Sequence, residues 1–211
     1  MARSQRTQAE LHADSRTLLY EFDMLCGTAV QLVGLDQTHQ RIAYNSTVES
    51  FALHCRALIA FFFDHNPRYD SDVVAADFFA VPDHWASSHS LGQFLADAQT
   101  QAHKQIAHIT TERRNLNISG GKDGLWQISD IVQAVCKLMA DFLANAPDQN
   151  LDSDAKRNLI GLMRQNVRPA VSPSVVHGLQ GNAPNSPQGQ PQKQLTDVRT
   201  IGSSMTGKTC P

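Results

Sequence analysis

The chain has 211 residues, 41% of them hydrophobic and 18% charged, with 18 Lys and Arg against 20 Asp and Glu. That is one globular domain's worth of material, and a net charge of −2 excludes a protein whose work rests on strong overall charge, such as a generally basic nucleic-acid binder. No uninterrupted apolar run approaches the roughly 18–20 residues of a membrane span, Ala57 to Phe63 being the longest, and Met1 to Thr17 lacks the apolar core of a signal peptide, so the expectation is a soluble, cytoplasmic protein with no membrane partner.

The first periodic segment carries Leu11, Leu18, Phe22, Leu25, Ala29 and Leu32, spaced by seven and then by four and three in turn, which predicts a long amphipathic helix. A second helix is predicted from about Ile42 to Asp64. Its stripe holds Tyr44, Val48, Phe51, Cys55, Leu58, Ile59 and Phe62, with Pro67 just beyond its end. Residues 66–90 are irregular but carry Val73, Val74, Phe78, Phe79 and Trp85, so they are expected to pack down over one end of the fold, with a short helix near 72–80.

Ser90-Leu91-Gly92-Gln93 has the form of a capping box, which places the start of a third helix near 91. That helix carries Leu91, Phe94, Leu95, Ala98, Ala102, Ile106 and Ile109 and ends in the stretch from Asn115 to Gly124. A fourth is predicted from Leu125 to Asn145, and a shorter fifth over about 151–165. From 168 onward Gly, Pro, Asn, Gln and Ser take over. The division is therefore a helical domain over 1–167 and a disordered tail over 168–211. Together these segments predict an all-α fold: an antiparallel up-and-down four-helix bundle with a short extra C-terminal helix.

Cys26, Cys55, Cys136 and Cys210 form no C-x-x-C pair, and the first three sit in apolar stripes, so reduced core thiols are expected. Gly202 to Thr209 fits the phosphate-loop pattern G-x-x-x-x-G-K-[ST], yet only Cys210 and Pro211 follow in this sequence, where the pattern needs a helix. No cofactor is called for. No Glu-x-x-His pair of a carboxylate-bridged bundle occurs, and His54, His84, His89 and His108 would make a zinc site only if the fold gathered them, so no metal is expected.

The polar cluster with most chemistry lies on the third helix, where Lys104, His108 and Glu112 form a row at the edge of the apolar stripe and Arg113 falls near its middle. Asn45, Glu49 and Arg56 project along one flank of the second helix, with His54 on the other. Two readings follow. These groups are interhelical contacts that fix register, or Asn45, Glu49, Arg56, Lys104, His108 and Arg113 line one pocket between the second and third helices that takes an anionic ligand.

The stretches Glu49 to Phe62, Asp72 to Phe79 and Lys104 to Arg113 together resemble a group of bacterial helical proteins of unknown activity, over roughly residues 15–145. The helical pattern with an intrahelical His and Arg also distantly resembles the HEPN superfamily, many of whose members are metal-independent ribonucleases acting as dimers. That family's motif sets Arg ahead of His by four to six residues. Here His108 precedes Arg113, and the forward match is Arg6 and His12 in the N-terminal region. The resemblance implies that His108 would handle the proton of a ribose 2′-hydroxyl while Arg113 or Arg56 stabilised the phosphorane charge. The leading expectation is a non-catalytic interaction or regulatory module, homodimeric, with RNA or another protein as further partners. The alternative is a HEPN-like ribonuclease.

Overall fold

The computed structural model describes residues 5–104, 125–166 and 176–177, all within one compact unit that ends at Gly181. Apart from one two-residue strand pair, their regular structure is helical, and the fold is all-α.

Helix α1 (Gln8–Gly34) opens on a capping box that apolar periodicity alone does not mark. The Thr7 hydroxyl accepts from the Glu10 N–H at 3.3 Å, and the Glu10 carboxylate accepts from the Thr7 N–H at 2.7 Å. Two of the orphan donors at the helix start are thereby satisfied, and the bond from the Thr7 backbone holds the Glu10 carboxyl below its ordinary value. Leu11, Leu18, Phe22, Leu25 and Leu32 are buried, as the spacing predicts. In the connecting loop Asp36 accepts from the backbone N–H groups of Thr38 and His39, an Asx turn that reverses the chain. Helix α2 (Arg41–Phe63) returns antiparallel, so that Tyr20 and Glu21 in the middle of α1 meet His54 in the middle of α2.

The end of this hairpin is closed by aromatic packing. A single 3-10 turn (Ala75–Phe78) and a short helix α3 (Asp83–Ser88) replace the helix expected over 72–80. The Asp77 carboxylate accepts from the Val74 N–H at 3.1 Å and fixes that one tight turn, and Pro82, whose ring favours a helix start, sits immediately before α3. Phe142 is fully buried at the centre of the cap, with the rings of Phe61 and Phe78 both at 5.3 Å and Trp85 at 5.8 Å, all edge to face. The Trp85 indole N–H donates to the Phe62 carbonyl at 2.8 Å, satisfying an acceptor that the end of α2 leaves open.

Helix α4 (Gln93–Ala102) starts two residues later than expected, and the Ser90 capping box does not form. Gly92 is the N-cap without a side-chain bond, and the Gln93 amide donates instead to Asp97 at 2.7 Å, one turn on. The third helix beyond Lys104, with His108, Glu112 and Arg113, lies outside the described residues.

Helix α5 (Ile128–Asn145) starts at Ile128 rather than Leu125, because strand β1 (Leu125–Trp126) is extended and pairs antiparallel with strand β2 (Val176–His177). Val176 and His177 belong to the stretch read as a tail. The rest of 168–211, including the phosphate-loop match, lies outside the described residues. Trp126 is buried against Phe51 at 5.9 Å while Phe142 meets Phe61, so α5 runs in the same direction as α2. Helix α6 (Ser153–Asn166) packs on α1 and α5. Asp152 caps it by accepting from the Ala155 N–H at 2.9 Å and is held to α1 by Arg16 at 2.9 Å.

Candidate functional site

The residues singled out on α2 lie along one flank, as the 100° spacing requires. Asn45, Glu49 and Arg56 are half-buried, α2 packs on α4, and Lys104 is exposed just after α4. Their roles differ. Glu49 and Lys104 are both engaged in polar contacts, whereas the side-chain oxygen of Asn45 is buried with no hydrogen-bond partner among the described residues. The side-chain nitrogen of Gln101 on α4 is buried and, among the described residues, has no partner either. An open acceptor on α2 and an open donor on α4 are the kind of unsatisfied groups that native cores rarely keep without a bound water or ligand. His108 and Arg113, the two residues given the chemical roles, lie outside the described residues.

His54 is the histidine that burial and geometry single out. Its side chain is 7% exposed, and Nδ1 donates to the Glu21 carboxylate at 2.7 Å. The ring of Tyr20 meets it edge on, with centroids 5.7 Å apart. A buried imidazole needs such a partner, because an unsatisfied ring N–H between two helices is costly. The sequence placed His54 on the flank opposite Arg56 but did not name Glu21. The available signal was Glu21 at the margin of the α1 stripe, between Leu18 and Leu25, where a carboxylate can reach a neighbouring helix.

The forward Arg–His pair of the HEPN resemblance is committed elsewhere. Arg6 is a fixed clamp, not part of a loosely held terminus. Its guanidinium pairs with Asp77 at 3.1 Å and Asp14 at 3.3 Å and donates to the carbonyls of Asp70, Ser71 and Asp72. Each of its three nitrogens thus has a partner within the fold. His12 donates through Nε2 to the Gln149 carbonyl at 2.9 Å. One arginine therefore ties the start of α1 to the loop after α2, and one histidine ties it to the loop before α6.

His89 stacks on Trp85 with ring centroids 3.7 Å apart, and His39 on the α1–α2 loop donates to Asp36 at 2.6 Å, a hydrogen bond that raises the His39 pKa above its ordinary value. Among the described residues no three His, Cys, Asp or Glu side chains converge as metal ligands. Cys26, Cys55 and Cys136 are free and buried, and burial pushes the Cys55 thiol up to about 12. The Cys26 thiol is raised by its hydrogen bond to Cys136 and by burial, so neither Cys26 nor Cys55 is an activated nucleophile.

Compared with protein-family models, curated proteins and solved structures, the chain matches none.

Proposed function

We propose that this chain is a non-catalytic helical interaction module of the bacterial cytoplasm that works as a homodimer and holds a small polar pocket between α2 and α4. The carrying observation is an open apolar face on the α1–α2 hairpin, where Tyr20, Ile42 and Leu53 are 55%, 81% and 53% exposed while the opposite sides of both helices are buried. Side chains of that size left in water mark a surface built for contact. The unsatisfied amides of Asn45 and Gln101 support the pocket. The arrangement we infer is the up-and-down bundle, with α6 as the added helix. The antiparallel α1–α2 hairpin and the shared direction of α2 and α5 support it.

The structural commitment of Arg6, His12 and His54 weighs against the ribonuclease alternative, which then rests on His108 and Arg113. Digestion of labelled RNA in chelator by the wild type, His108→Ala and Arg113→Ala tests the choice. The expected result is the same background from all three proteins. Chelator-resistant cleavage by the wild type that vanishes in both variants overturns the interaction reading.

A further inference from the structure

We infer that the outer face of the α1–α2 hairpin is the surface on which a second copy of this chain docks, with a two-fold axis lying along the groove between the two helices. This rests on the dimeric reading above and adds which face, which orientation and which charges meet.

The face is formed by the outward rows of both helices. Tyr20 and Gly27 lie on α1, and Ile42, Ser46, Leu53 and Ala57 lie on α2. The edge-on contact of Tyr20 with His54 fixes the two rows side by side. Charged side chains border the rows: Arg16, paired with Asp152, and Asp23 on α1, and Glu49 and Arg56 on α2. At the floor of the groove Glu21 is already held by His54. A Cβ added at Gly27 would meet nothing within 4 Å, so the chain's own packing gives no reason for a helix-weakening glycine there. Small residues at Gly27, Ser46 and Ala57 leave the face flat enough for another helix pair to approach closely.

Size and charge point to a second copy. Helices of 27 and 23 residues are about 40 and 35 Å long, and two lying side by side present roughly 700 Å². That is close to the roughly 800 Å² each partner gives to a stable interface. Helix α1 holds four carboxylates against one arginine, and α2 two arginines against one carboxylate. A two-fold axis along the groove lays α1 of each copy over α2 of the other; Glu10, Asp14 and Glu21 are engaged within the fold, so Asp23 is the α1 carboxylate that meets the partner's α2. At the outer edge of α1 stands Asp23, exposed, and at the outer edge of α2 stands Arg56, half-buried. Among the described residues neither forms a salt bridge. The symmetry brings these two edges together twice. Helix α2 is also apolar enough by length and composition to cross a membrane, yet 56% of that window is buried inside the fold, and the acidic α1 beside it disfavours an anionic lipid surface.

Sedimentation equilibrium of the full chain tests the proposal, with far-ultraviolet circular dichroism melts showing that each variant is folded. The wild type is expected at twice the chain mass. Leu53→Asp, at an exposed position, should raise the dimer dissociation constant by about tenfold or more. Asp23→Arg and Arg56→Asp should each weaken the dimer several-fold, and the double reversal should recover most of the loss. A wild-type chain that stays monomeric, or a dimer indifferent to Leu53→Asp, overturns the proposal, whereas the RNA digestion bears on the non-catalytic reading and is unaffected by either result. Flotation of the wild type with phosphatidylglycerol vesicles, lost in Leu53→Asp, assigns the face to lipid and overturns it too.

Discussion

Replacing Arg6 with alanine separates a structural arginine from a phosphate-binding one. In the fold its guanidinium, 14% exposed, stands between the carboxylates of Asp77 and Asp14, which are 10% and 18% exposed. Truncation removes the guanidinium that both carboxylates face, and breaking such a part-buried pair from one side costs about 3–5 kcal/mol. The carbonyls of Asp70 and Ser71 lie in exposed contacts where water replaces the guanidinium, so their loss adds little. About 3 kcal/mol is therefore expected, which at a slope near 2 kcal/mol/M lowers the urea midpoint by about 1.5 M. The melt should be paired with hydrogen exchange across residues 70–77, which should open in the variant. In the double variant Arg6→Ala/Asp77→Ala, part of the stability should return, because one of the two carboxylates that faced the guanidinium is gone. A loss under about 1 kcal/mol, with exchange unchanged over 70–77, would refute the clamp.

Other outcomes follow from packing and charge. Phe142→Ala should destabilise by about 3–5 kcal/mol, and Phe51→Ala and Val132→Ala by about 1–5 kcal/mol each, in chemical denaturation; the larger loss belongs to Phe142 because its ring meets those of Phe61, Phe78 and Trp85 edge to face. Truncation after Val167 removes Val176 and His177 from their pairing with Leu125 and Trp126 and should cost about 1–2 kcal/mol, whereas truncation after Gly181 should leave the melting temperature unchanged. His39 is raised by its bond to Asp36, and Asp36 is lowered by the same bond. Their mutual stabilisation is lost as pH rises through the His39 value or falls through that of Asp36, so it is present only between the two. Proton NMR titration of the His39 ring should show its pKa fall in Asp36→Asn.

Burial stripes are written in the sequence because a helix repeats every 3.6 residues, and Leu18, Phe22, Leu25, Val48, Phe51, Cys55 and Phe62 are all buried where that period puts them. The same period placed Asn45, Glu49 and Arg56 on one flank of α2. It also gave the two long helices, while the Asp36 turn that reverses the chain between them came from the structure. Helix starts were less legible. Both Thr7-x-x-Glu10 and Ser90-x-x-Gln93 fit a capping pattern, but only Thr7 caps a helix, because Gln93 turns its amide to Asp97 instead.

Tertiary structure alone decided the pairs made across the chain: Glu21 with His54, Arg6 with Asp77 and Asp14, His12 with the Gln149 carbonyl, and Trp126 with Phe51. Periodicity says which face of a helix turns inward but carries no information on which neighbour it meets or at what height. That choice is made by the joint packing of all the stripes, and the charged and polar groups at their margins take whichever partner the packing brings within hydrogen-bond reach.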